Sequence, residues 1–116
     1  MDQPAMAVFI VNSDGRIVKT NETALRWLDL ASEQILGQHY GRFLAVFRSE
    51  ARLDGEKNLS DPVQRSLATE EPQLNIMGLL YRKGGAAVPF EGAVAPAYEG
   101  VDGPRGAVII VELEDP

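Results

Sequence analysis

Three β-prone runs close the sequence and set its architecture. Leu74 to Arg82 is followed by the turn Lys83-Gly84-Gly85. Val88 to Pro96 is followed by the loop Glu99-Gly100-Val101-Asp102-Gly103-Pro104, and Gly106 to Leu113 completes the set. Strands joined by such short connections return antiparallel, because a parallel crossover needs a dozen or more residues. Side chains alternate between the two faces of a strand. Val88, Phe90, Gly92 and Val94 therefore share one face, and Pro89, Glu91, Ala93 and Ala95 the other. On the preceding strand Ile76, Gly78 and Leu80 alternate with Met77, Leu79 and Tyr81. The first set is the more apolar and predicts the face turned to the core. The second set is nearly as apolar: Met77, Leu79, Tyr81, Ala93 and Ala95, with Val108 and Ile110 from the last strand. Apolar residues scattered singly on a surface are ordinary, but a contiguous set predicts a cover, either a partner subunit or a flanking helix.

The first half supplies the layer that packs on this sheet. Ala7-Val8-Phe9-Ile10-Val11, the turn formers Asn12-Ser13-Asp14-Gly15 and the strand Ile17-Val18-Lys19-Thr20 predict a hairpin. Asn21 reads as a helix N-cap before the apolar stripe Ala24, Leu25, Trp27 and Leu28. Ser32-Glu33-Gln34 opens a second short helix, with Ile35 and Leu36 on it and Gly37 as its stop. Phe43, Leu44 and Phe47 predict a third helical turn, and residues 49–59 a polar loop. Ser60-Asp61-Pro62 starts a helix with Val63, Leu67 and Ala68 on one face, ended by Glu70-Glu71-Pro72. The predicted order is β-β-α-α-α-β-β-β, an α+β domain with helices over one face of a sheet.

Composition narrows the function classes. The 116 residues make one domain, 1–116. A net charge of −6 argues against nucleic acid and anionic membranes as partners. No run approaches a membrane span, and no basic segment precedes an apolar one at the N-terminus, so a cytoplasmic chain is expected. There is no Cys, which excludes thiolate nucleophiles and Cys-ligated metals, and there is one His, His39. The carboxylate pairs Asp54/Glu56, Glu70/Glu71 and Glu112/Glu114 fall in polar loops or at element ends, and nothing pairs a nucleophile with a base. Lys83-Gly84-Gly85 lacks the spacing and the following helix of a phosphate loop. No catalytic residue and no metal site is expected.

From about residue 6 to 114 the sequence resembles a PAS domain, the sensory module of bacterial signalling proteins. The marks are Val8-Phe9-Ile10-Val11-Asn12-Ser13-Asp14-Gly15-Arg16-Ile17, the cap Asn21, Ile35-Leu36-Gly37, Asp61-Pro62-Val63 and Leu80-Tyr81-Arg82-Lys83-Gly84-Gly85. Val88-Pro89-Phe90-Glu91, Ala95-Pro96 and Gly106-Ala107-Val108-Ile109-Ile110-Val111 complete them. The stretch from Asp61 to Pro96 looks most like PAS domains that precede diguanylate cyclase or phosphodiesterase domains, or histidine kinases. The end departs from the family: Glu112-Leu113-Glu114-Asp115-Pro116 stands where an Asp-Ile-Thr-like signal motif is common.

The resemblance implies a five-stranded antiparallel sheet with helices on one face, a homodimer through the other, and a regulatory role. The output domain would lie outside this chain, which is then expected to be part of a longer protein. It also implies a candidate ligand pocket, drawn from Trp27, Phe43, Val63, Leu67, Ile76, Gly78, Leu80, Phe90, Gly92 and Val94. Gly78 and Gly92 remove volume from the inner wall. They either open that pocket or mark bulges or close helix packing. No cofactor is required by the sequence. The adduct-forming flavin chemistry of the light-sensing subfamily needs a Cys and is excluded, whereas non-covalent flavin, with Trp27 stacking on it, is not. Haem binders of the family carry the iron ligand on the long helix, which here has no His; His39 lies instead in Gly37-Gln38-His39-Tyr40-Gly41, a poor place for a haem ligand. Two alternatives stand beside the sensory reading: a ligand-free interaction module of the same fold, and a small-molecule enzyme.

Overall fold

The computed structural model describes residues 6–48, 62–98 and 105–113. Strand β1 (Ala7–Asn12) alternates strictly, with Ala7, Phe9 and Val11 buried and Val8 and Ile10 half-buried. The Asn12 side chain then makes the turn. Its Oδ1 accepts from the N–H of Asp14 (2.9 Å) and of Arg16 (3.0 Å), and Gly15 takes φ +81°. The chain returns as β2 (Ile17–Thr20), antiparallel to β1. The register shifts between Ile10 and Val11, so Val18 is an extra residue in the ladder and stays exposed.

Asn21 caps α1 (Glu22–Leu28) and also fastens it to the sheet. Its Oδ1 accepts from Ala24 N (3.0 Å) and from Val8 N (3.1 Å), while its Nδ2 donates to the Met6 carbonyl (2.8 Å). Losing a cap costs about 1 kcal/mol, and a part-buried N–H left without its acceptor adds about 1–3 kcal/mol. Asn21→Ala is therefore expected to lower unfolding stability by about 2–4 kcal/mol in urea titrations. Asn21→Asp keeps both acceptor contacts and should lose less; equal losses for the two variants would refute this account. The helix ends at Asp29 in a left-handed conformation, φ 62°.

Helix α2 (Ser32–Ile35) is a single turn, opened by Gln34 Oε1 accepting from Ala31 N (2.9 Å). Gly37, at φ +86°, turns the chain back along β2, where its N–H reaches the Ile17 carbonyl (2.8 Å). A 3-10 turn follows at Tyr40–Arg42.

Here the structure corrects the sequence reading. Phe43, Leu44 and Phe47 form no helical turn; residues Leu44–Arg48 are a strand, β3. Leu44 and Val46 are both buried, a period of two, and β3 pairs with the next strand from Leu44↔Leu80 to Arg48↔Ile76. The sheet accordingly has six strands rather than five. The helical character lies one step earlier, in the 3-10 turn.

Helix α3 (Pro62–Thr69) begins at the expected proline and stops before Glu70, whose φ is 61°. It buries Pro62, Val63 and Ser66. Leu67 is half-buried and Ala68 exposed, so the face runs one position earlier than the expected Val63, Leu67 and Ala68. Strands β4 (Gln73–Tyr81), β5 (Ala87–Tyr98) and β6 (Arg105–Leu113) form the expected antiparallel meander. Gly84 and Gly85, at φ +96° and +98°, close the first hairpin, with Arg82 N donating to the Ala86 carbonyl (2.8 Å). The expected loops at 49–59 and 99–104, the caps Ser60 and Asp61, and Glu114 to Pro116 lie outside the described residues.

The strand order is β2-β1-β6-β5-β4-β3. The N-terminal hairpin joins the C-terminal meander through β1 and β6, from Ala7↔Val111 to Asn12↔Gly106. Helix α1 packs on β1, and α3 crosses β3, β4, β5 and β6. Phe9, Ile76, Leu80, Phe90, Val94 and Ile109 fill the core beneath them.

Candidate functional site

Two surfaces of this sheet are candidates, and the inner wall comes first. Of the candidate pocket residues, Phe43, Val63, Ile76, Leu80, Phe90 and Val94 are buried in one apolar cluster, with Trp27 and Leu67 half-buried against it. Gly78 and Gly92 sit in the wall itself. Gly78 is directly opposite Phe90, and Gly92 lies between Ile76 on one side and Val111 on the other.

The glycines do not leave open space. A Cβ on Gly78 would overlap the Ala45 carbonyl oxygen and stand 2.8 Å from Phe90 Cζ. A Cβ on Gly92 would overlap the Ile110 carbonyl oxygen. Gly106 stands in the same relation to the Val11 carbonyl. Each glycine lets a neighbouring backbone approach, and the Phe90 ring takes the room beside Gly78. At both positions the close neighbour is the backbone of the adjacent strand, not a helix.

An unpaired polar atom lies in the apolar interior. Ser66 is completely buried on α3, and its Oγ has no hydrogen-bond partner among the described residues. A buried hydroxyl left unpaired costs about 1–3 kcal/mol. Sequence reasoning missed Ser66, although it lies three residues after Val63 on the helix stripe. It also missed the tie between α3 and the 3-10 turn, where Gln64 Nε2 donates to Tyr40 Oη at 3.3 Å.

His39 organises a turn. Its Nδ1 accepts from Gly41 N (3.0 Å), and its ring stacks on Tyr40 with centroids 4.5 Å apart. A Cβ on Gly15 would meet its Nε2 at 2.7 Å, and Arg16 bridges to His39 in the backbone. It is exposed and separate from the inner wall. Among the described residues no three His, Asp or Glu side chains gather as metal ligands, and no helix is long and apolar enough to cross a membrane.

The outer face holds the second set. The register aligns Val8, Ile110 and Ala93 in one row and Ile10, Val108 and Ala95 in the next. All six are half-buried, as is Leu79. Met77 and Tyr81 are 43 % and 37 % exposed on the same side. No helix of the described residues lies over these rows.

A one-sheet α+β module, with the described helices gathered on one face and an apolar sheet face that none of them covers on the other, defines the class. The family model described as a PAS domain matches residues 5–115, and the chain belongs to that family. A search of curated proteins finds no match. Among solved structures, the chain is similar to the PAS domain of an HTR-like protein from Haloarcula marismortui. That match has 18 % identity and a TM-score of 0.67, covering 93 % of this chain and 86 % of the other. A PAS domain from a two-component sensor histidine kinase matches at 10 % identity and TM-score 0.66, over 94 % and 85 %. The PAS domain of nitrogen regulation protein NR(II) from Vibrio parahaemolyticus matches at 13 % and 0.64, over 93 % and 89 %. At these identities the likeness concerns the fold.

Proposed function

We propose that this PAS domain is a regulatory sensory and dimerisation module of a bacterial signal-transduction protein, acting in the cytoplasm without catalysis of its own. It would relay the state of a ligand or partner to an output domain outside this chain, a cyclic-di-GMP cyclase or phosphodiesterase or a histidine kinase. The observation that carries the reading is the apolar outer face, which no helix among the described residues covers. A sheet apolar on both sides and covered on one calls for a second cover, and a homodimer through Met77, Leu79, Tyr81, Ala93, Ala95, Val108 and Ile110 supplies it. Signalling then requires two arrangements of that interface that differ in their contacts.

Leu79 faces Ala45 and Pro89 across the ladder on that face. A charge there would be desolvated without a partner in a dimer. Leu79→Glu is expected to raise the dimer dissociation constant by about 10- to 100-fold in light scattering, with the circular dichroism spectrum unchanged. A wild-type protein that stays monomeric at high concentration would remove the dimer reading.

The packing of Phe90 against Gly78 favours a second reading, a ligand-free interaction module of the same fold. Ser66 is the counterweight, a donor unpaired among the described residues that a small polar ligand or a water would satisfy. Native mass spectrometry of the purified protein separates them. A retained small molecule supports sensing by ligand, and an empty dimer supports interaction alone.

A further inference from the structure

Charge is unevenly placed along this chain. It has 17 Asp and Glu, yet none falls in residues 34–49 or 72–90. Those two segments carry Arg42, Arg48, Arg82 and Lys83. The fold sets them side by side, because they supply the 3-10 turn, β3, β4 and the hairpin that leads to β5, with β3 paired to β4. Helix α3, which crosses both strands, adds Arg65 and no carboxylate within its bounds.

The hairpin end gathers three of these cations. Tyr81 N donates to the Phe43 carbonyl (2.8 Å), and Arg42 and Arg82 are the next residues out on the two chains. Lys83 N donates to the Leu28 carbonyl (3.1 Å), which pins the hairpin to the end of α1. Gly85 N donates to the Arg82 carbonyl (2.9 Å) and closes the turn. The backbone that carries the charges is therefore held on both sides, while Arg42, Arg82 and Lys83 are exposed. The Arg42 guanidinium is braced by a neutral group: its Nη1 donates to Gln38 Oε1 at 2.7 Å. A guanidinium has five N–H donors, so most stay available. Asp29 follows Leu28 and is exposed, but no ion pair joins it to these cations among the described residues.

We propose that Arg42, Arg82 and Lys83 form a docking site for an acidic segment of another polypeptide. Its carboxylates would take the forked geometry that Arg offers them and pair with the Lys83 ammonium. The reach of the charges selects this class of partner. A nucleic acid or an anionic membrane extends far enough to meet the field of the whole molecule, and a net charge of −6 opposes it. A short acidic segment meets the patch alone, since charges beyond about 8–10 Å are screened at physiological salt. None of the three residues belongs to the apolar self-association face, so the site does not depend on dimerisation.

The test uses the full chain and a fluorescein-labelled peptide of alternating Glu and Ala. Anisotropy is expected to show saturable binding that weakens as NaCl is added. Arg42→Gln/Arg82→Gln should lose about tenfold in affinity. Lys19→Gln removes an exposed charge on β2 and should change it by less than about twofold, which separates a local site from net charge. Should circular dichroism show the double variant misfolded, Lys83→Gln serves, with a loss of about threefold. A labelled oligothymidylate of equal charge is expected to bind more weakly than the peptide. No binding of the peptide, equal losses for Lys19→Gln and the patch variants, or tighter binding of the oligonucleotide would overturn the proposal. Light scattering supplies the last arm: a dimer that Lys83→Gln dissociates would assign the patch to a second copy of this chain and overturn it as well.

Discussion

Phe90→Ala is expected to cost about 3–5 kcal/mol of unfolding stability, the range for deleting a buried aromatic ring. Phe90 is 2 % exposed, and its partners across the two ladders are Gly78 and Leu113. Cavity cost falls when neighbours relax into the hole. Here the residue opposite on β4 and the next inward residue on β5 are both glycine and have no side chain to move. The loss should therefore sit toward the upper end. Urea unfolding followed by tryptophan fluorescence gives the number, with Trp27 as the only indole.

The same variant decides how closed the inner wall is. A dry apolar cavity binds small apolar molecules, and a ligand that binds only the folded state raises its stability. Benzene or indole should stabilise Phe90→Ala and leave the wild type unchanged. A loss below about 1.5 kcal/mol would mean that the ring fills little, and wild-type stabilisation by the same probes would mean that a chamber already exists. Either result would return the interior to the ligand-pocket reading.

The parts of the fold that were legible in the sequence are those set by local chemistry. Asn21 caps because a short amide reaches the free N–H groups of the first turn, whatever lies elsewhere. The Asn12 to Gly15 turn and the Gly84-Gly85 hairpin carry their own conformational demands, and the long meander strands display their period. Strand β3 is different. Phe43, Leu44 and Phe47 have helical spacing, while Leu44 and Val46 have strand spacing, and a run this short supports both. The pairing that settles it comes from β4, some thirty residues away, whose free edge gains a partner. The glycines follow the same logic. A sequence reveals that a side chain is missing at Gly78 and Gly92, but what occupies the space is decided by the Ala45 and Ile110 carbonyls and by the Phe90 ring. Leu74 was read simply as the first residue of a strand. Its exposure arises from the break at Asn75, which no alternation pattern foretells.

Gly92→Val tests that close approach most severely. The Gly92 φ is not in the left-handed region, so an added side chain would meet no conformational objection of its own. The objection is overlap. Its Cβ would collide with the Ile110 carbonyl oxygen, stand 2.9 Å from the carbonyl carbon and 3.4 Å from Val111 Cα. All three are backbone atoms of a strand paired with β5 from Phe90↔Leu113 to Tyr98↔Arg105, so nothing flexible can swing aside. Relief requires parting two central strands and losing ladder hydrogen bonds. We expect a loss of at least about 3 kcal/mol, beyond the usual range for overpacking because the backbone must move. Gly92→Ala should lose nearly as much, since the first carbon already collides. Gly37→Ala is the control, with φ +86° and nothing within 4 Å of its added Cβ. It should lose only the left-handed penalty, about 1–2 kcal/mol. If the Gly92 variants lose no more than Gly37→Ala in parallel urea titrations, the strands can separate at low cost. The meander would then be pliable at its centre.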